Sequence, residues 1–199
     1  MNGPFALQMS RSQFAALTAE LARRGDGRRE SGAFLLSSTN VERPPGHKRT
    51  VVGFAFYDDL DPASLTGGIT FGAIGYSALS AVCRAQDLCV VADIHTHPGS
   101  WVQQSAIDAR HPMSAIPGHI AIIAPNYSQG SIRLRDLGLH VFHGDKTWES
   151  RYRNEVKEVL HLTGSYPFLR MAISALRSAF RAVHRSIKER GTLDVNARS

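Results

Sequence analysis

Leu88-Cys89-Val90-Val91-Ala92-Asp93-Ile94-His95-Thr96-His97-Pro98 is the stretch on which the reading of this 199-residue chain turns. Leu88 to His95 is mostly apolar, and Pro98-Gly99 closes the run. That is the pattern of a buried strand, because proline cannot donate to a β ladder. Side chains two apart on a strand share a face, so His95 and His97 point the same way and can meet one ion. The chain then has room to turn back and begin a helix at Ser105-Ala106-Ile107-Asp108, where Ser105 and Asp108 are neighbours on one face. Two neutral imidazoles and a carboxylate suit zinc and leave a fourth position for water. Bound zinc lowers the pKa of that water from about 15.7 to about 7, creating a nucleophile at neutral pH. Each piece has a plainer alternative. A single buried histidine is ordinarily a satisfied core residue, and Ser105 with Asp108 reads equally as a helix-capping pair.

Outward from this segment the chain alternates strands and helices. Ser10 or Ser12 caps a helix running to about Arg24, with Phe14, Leu17 and Leu21 on one face and Gly25-Asp26-Gly27 as its stop. Ala33 to Leu36 reads as a short buried strand, and Arg49 to Tyr57 as another after a polar stretch containing Pro44-Pro45-Gly46. Asp58 to Gly68 is a loop, and Tyr76 to Gln86 a helix with Leu79, Val82 and Cys83 inward. His119 to Ala124 and Gly138 to His143 are further strands. The expected architecture is α/β, a mixed sheet flanked by helices over residues 1–145, followed by a helical extension over 146–199. Within the extension, Lys146 to Leu162 places Trp148, Tyr152, Val156 and Val159 on one stripe. A second helix starts at Ser165-Tyr166-Pro167, repeats Leu169, Ile173, Leu176, Phe180, Val183 and Ile187, and stops at Gly191 before a frayed tail.

Composition narrows the function classes. At 43% hydrophobic and 20% charged, the chain can bury a proper core and is not disordered over most of its length. No apolar run approaches the roughly 20 residues that cross a bilayer, and Met1-Asn2-Gly3-Pro4 does not begin a secretory signal. Cys83 and Cys89 are too few for a disulfide scaffold or a thiolate zinc site. A cytoplasmic protein with reduced thiols is expected. The formal charge of +6 is concentrated: residues 166–199 hold seven basic and two acidic side chains, so the rest is close to neutral. Nucleic acid is therefore not expected as a partner of the chain as a whole.

His95-Thr96-His97-Pro98 with Ser105-x-x-Asp108 resembles the JAMM motif of the MPN/JAB zinc metallopeptidases. That family also carries an upstream glutamate on a strand, followed by a small residue, glycine and apolar residues; Glu30-Ser31-Gly32-Ala33-Phe34-Leu35-Leu36 is similar. Two other His-x-His metal families fit less well. The metallo-β-lactamase pattern needs Asp-His directly after the pair, where Gly99-Ser100 stands, and a (β/α)8 amidohydrolase needs about 250 residues with the pair near the start. The resemblance covers residues 5–145 and implies an MPN/JAB, cytidine-deaminase-like fold. It implies one Zn²⁺ with a catalytic water, held by His95, His97 and Asp108. Glu30 would be the general base and then acid, and Ser105 the donor to the oxyanion. Without the motif, Glu30 beside Arg28 and Arg29 would read as a surface residue. Asp93 shares the histidine face; it either orients one imidazole or, as preferred here, faces solvent at the strand entry. His111, His119, His140 and His143 carry no motif and are read as ordinary residues.

What the family resemblance implies for activity is an isopeptidase or peptidase acting after the C-terminal tail of a ubiquitin-like protein. The compact chain is similar to prokaryotic JAB peptidases, which are paired with ubiquitin-like modifiers and their conjugating enzymes, including in antiphage operons. The alternatives are a JAMM peptidase acting on a sulfur-carrier protein or a cysteine adduct, and a non-catalytic MPN scaffold. The amphipathic helix near the C-terminus packs on the domain, forms a homodimer through its apolar seam, or contacts an anionic membrane or nucleic acid.

Overall fold

A computed structural model describes residues 6–39, 48–66 and 68–164. The expected helix after Ser165, its dimer seam and the Pro44-Pro45-Gly46 stretch lie outside these described residues.

Strand β1 (Leu7–Ser10) runs directly into α1 (Arg11–Gly25). Ser10 is the cap: its hydroxyl accepts the Gln13 N–H at 3.0 Å, and the Gln13 side chain accepts the Ser10 N–H at 2.6 Å. The helix stops where Asp26 turns left-handed (φ 51°). Next come β2 (Gly32–Ser38), β3 (Arg49–Thr50), β4 (Gly53–Phe56), the single turn α2 (Tyr57–Leu60) and α3 (Ala73–Ala85). The second half comprises β5 (Leu88–Thr96), α4 (Ala106–Arg110), β6 (Ile120–Ala124), β7 (Gly138–Gly144), β8 (Thr147–Tyr152), α5 (Val156–Val159) and β9 (Leu160–Thr163).

Six strands form one mixed sheet in the order β4-β2-β5-β6-β7-β8, and a small sheet has the order β3-β1-β9. In the large sheet only β5 and β6 are parallel. Strand β2, between β4 and β5, is buried on both faces, and its residues alternate between two cores. Ala33 and Leu35 join Phe14, Leu17 and Leu21 of α1. Phe34 and Leu36 join Leu60 of α2 and Ala78, Leu79 and Val82 of α3. Full burial of such side chains is worth about 1.5–3 kcal/mol each, so helices on both faces hold β2, the strand paired to the one that carries the site. A mixed sheet flanked by helices is thus the observed fold class. No helix among the described residues is long and apolar enough to cross a membrane.

The helix expected over Lys146 to Leu162 does not form. Asp145 and Lys146 both take positive φ (48° and 60°), as a two-residue hairpin turn demands, and the chain returns as β8 paired to β7. The apolar stripe misled because residues four apart share a face on a strand as well as on a helix. Trp148 packs on Phe142 and Tyr152 on His140, at ring-centroid distances of 4.8 and 5.7 Å. Val156 and Val159 occupy one short helical turn and enter the core. Strand β9 then pairs with β1, so the sheet-forming body runs past residue 145 to Thr163.

Candidate metal centre

β5 delivers His95 and His97 from the sheet's centre, and α4 brings Asp108 back to them. His95 Nε2 and His97 Nε2 stand 3.2 Å apart. Asp108 Oδ2 lies 3.8 Å from the first and 3.5 Å from the second. Bonds of about 2.0–2.1 Å to a tetrahedral zinc put donor atoms about 3.3–3.4 Å apart, so this triangle has the dimensions of one face of such a site. These three residues could hold a metal ion. Their donor set, two imidazoles and a carboxylate, is the borderline nitrogen and oxygen chemistry that zinc accepts.

The groups behind the ligands fix their direction. His97 Nδ1–H donates to the Trp101 carbonyl at 3.1 Å, which leaves the Nε2 lone pair facing the site. The Trp101 ring stacks on His97 at 5.3 Å and 19°. Asp108 is aimed by the α4 capping box, in which Ser105 N–H donates to Asp108 Oδ2 at 2.8 Å and Ser105 Oγ accepts the Asp108 N–H at 3.1 Å. The two readings of the Ser105–Asp108 pair are therefore compatible, since capping is what orients the ligand. Burial disfavours the charged form of Asp108, yet the two imidazoles and Ser105 hold its carboxyl well below the usual range.

Asp93 is not at a solvent-facing strand entry. It is 1% exposed, with Oδ1 accepting His119 Nε2–H at 2.6 Å and Oδ2 accepting the Tyr57 hydroxyl at 3.1 Å. The same Oδ2 faces His95 Nδ1 across 3.8 Å. Burial opposes its ionisation, but His119 and His95 keep the carboxyl below its ordinary value. Tyr57 reaches it across Gly32, the partner of His95 in the β2–β5 ladder. A Cβ on Gly32 would sit 2.2 Å from the Tyr57 ring, so only glycine fits there.

Glu30 sits just before β2, next to the strand end that carries His97. Ser31 N–H donates to Thr96 Oγ1 at 2.9 Å, and Thr96 N–H to the Ser31 carbonyl at 2.9 Å. Half-buried, the Glu30 carboxyl is raised above its ordinary value by burial, against the pull of His95 and His97 and with the push of Asp108. The sequence-derived set of Glu30, His95, His97, Ser105 and Asp108 is thus brought to one end of β5.

Sequence reasoning missed the supports. His119 and His140, read as ordinary, are both buried and partnered. His140 accepts from Ser150 Oγ at 2.8 Å and donates to the Val102 carbonyl at 3.1 Å. Asn126, Tyr127 and Ser128 form a left-handed turn (φ 53°, 52° and 60°), in which Asn126 N–H donates to Gly99 O at 2.9 Å and Tyr127 N–H to His97 O at 2.8 Å. Non-glycine residues in that region are strained, and here the strain is spent holding the loop after His97. Only the shared parity of Asp93 with the histidines signalled any of this.

No family model matches the chain. The structure is similar to the solution structure of a protein from Desulfitobacterium hafniense, with 17% identity, 81% of this chain and 95% of that one covered, and a TM-score of 0.54. A solution structure from Salinibacter ruber is 16% identical over 82% of this chain and 94% of that one, with a TM-score of 0.49. At 17% identity the first of these likenesses concerns the fold alone.

Proposed function

We propose that the chain is a zinc-dependent JAMM-type isopeptidase that cleaves after the C-terminal tail of a ubiquitin-like protein, in a bacterial conjugation pathway of the antiphage kind. One observation carries the reading: three donor atoms 3.2 to 3.8 Å apart, whose charges are felt by a half-buried glutamate. The motif resemblance adds the reaction class. His95, His97 and Asp108 would hold the ion. Zinc there supplies Lewis-acid chemistry, activating water near pH 7 and polarising the scissile carbonyl. Glu30 takes the proton from the attacking water on its carboxylate and returns it to the leaving amine. A carboxyl raised above its ordinary value is the better acid–base partner at neutral pH. Ser105 Oγ accepts from Asp108 N–H beside the ligand trio, and its hydroxyl would donate to the oxyanion as the tetrahedral intermediate forms.

The test is cleavage of ubiquitin-like fusion proteins by wild type and Glu30→Ala, each with and without a chelator. Cleavage that stops in both treatments supports the proposal. Cleavage undiminished by Glu30→Ala removes the assigned base, and cleavage indifferent to the chelator removes the metal.

A further inference from the structure

Beyond Trp101 the loop after His97 borders an open groove of about 710 Å³, within the size range of ligand pockets. Trp101 is 49% exposed and stacks on His97, so one ring is both wall of the groove and neighbour of the metal ligand. Val102 is pinned behind it by His140 and by Gly138, where a Cβ would lie 1.8 Å from the Val102 carbonyl. Its lining also carries Arg133, Arg135 and Arg153 against one acid, Asp136. Arg133 is committed to Asp136, with its Nε 3.0 Å from Oδ2. Arg135 comes no nearer than 4.0 Å to that carboxylate and is 60% exposed. Arg153 makes no ion pair among the described residues, and its backbone holds a positive φ of 54° at the groove's edge. Arg153 is therefore left without an ion pair, and Arg135 with only a long one, in a preformed cleft that meets the metal centre through Trp101.

We infer that this groove binds an extended, acidic peptide segment of the substrate, with Arg135 and Arg153 receiving its carboxylates and Trp101 passing the chain to the reacting bond. The inference rests on the proposed hydrolase reading for its orientation, and on the groove alone for binding. Guanidinium forks match carboxylates in two-point contacts. A nucleic acid is the weaker occupant, because it gains affinity by neutralising many phosphates, whereas here one unpaired and one loosely paired guanidinium stand beside a carboxylate.

The experiment titrates the full chain with a short labelled peptide rich in Glu and Asp, its Gln/Asn counterpart, and a labelled oligothymidylate, read by anisotropy and tryptophan emission. The acidic peptide is expected to bind wild type and the α3 control Arg84→Glu alike. Affinity falls roughly tenfold or more for Arg135→Glu/Arg153→Glu and for the neutral peptide, and the emission change vanishes in Trp101→Phe. Equal binding of acidic and neutral peptides, unchanged affinity in the double variant, or tighter arginine-dependent binding of the oligonucleotide overturns the inference. The titration is repeated after chelation, so the two claims separate. Binding with no cleavage of any fusion keeps the groove and rejects the hydrolase; cleavage with no groove dependence does the reverse.

Discussion

Asp108 Oδ2 accepts the Ser105 N–H at 2.8 Å while standing 3.5 Å from His97 Nε2. A helix-capping interaction and a metal-ligand geometry share one oxygen. Ser105→Ala keeps that N–H and loses only the hydroxyl. The variant should retain its metal, lose about 1 kcal/mol of stability with the cap, and lose roughly 10²–10³ in kcat with the oxyanion donor. Metal analysis beside kinetics checks this. Asp108→Ala should instead lose the ion.

Asp93 is the buried carboxylate behind His95, held by His119 and Tyr57. Asp93→Asn removes its charge with little change of shape. Outer partners of ligating histidines contribute about 10–100-fold in metal affinity, and a loss of that size is expected in chelator competition. Tyr57→Phe, which removes one hydrogen bond but leaves the carboxylate's charge in place, should cost less.

Removing the ion should loosen the fold, because β5, α4 and the loop between them meet at it. A ligand at a hundredfold excess over its Kd stabilises the folded state by about 2.7 kcal/mol. For a chain of this size that is about 5–11 °C in Tm. Thermal melts with and without chelator, and with zinc restored, measure it.

His140, which is not a ligand, gives a pH dependence of its own. Burial drives its pKa down to about 4, against the Val102 carbonyl that favours the charged form. The unfolded chain takes up this proton near pH 6.5, while the folded chain resists until about pH 4. Its contribution is therefore complete above pH 6.5, declines as pH falls, and levels off below 4, a change of roughly 3 kcal/mol. Denaturant melts from pH 7 to 4 should show a shallower decline for His140→Gln than for wild type.

The first helix, the strands β2 and β5 and the ligand trio were legible because each is local. Ser10 and Gln13 make a cap within one turn, and His95 and His97 need only strand parity. Strand β1 escaped notice because its four residues pair with β3 and β9, far along the chain. The role of His119 depends on β6 lying parallel to β5, a topological fact that no spacing within either strand encodes. Trp148 and Tyr152 fit two periods at once, and the hairpin turn at Asp145-Lys146 chose between them. Asp93 was visible on the right face, but its burial was decided by Tyr57, which crosses Gly32 from α2.

The central claim is that His95, His97 and Asp108 share one ion, and metal stoichiometry tests it most directly. Protein loaded with zinc, dialysed and analysed should carry one equivalent per chain, and the His95→Ala/His97→Ala variant, shown folded by circular dichroism, close to none. Equal metal content in the folded variant and in wild type would contradict the account.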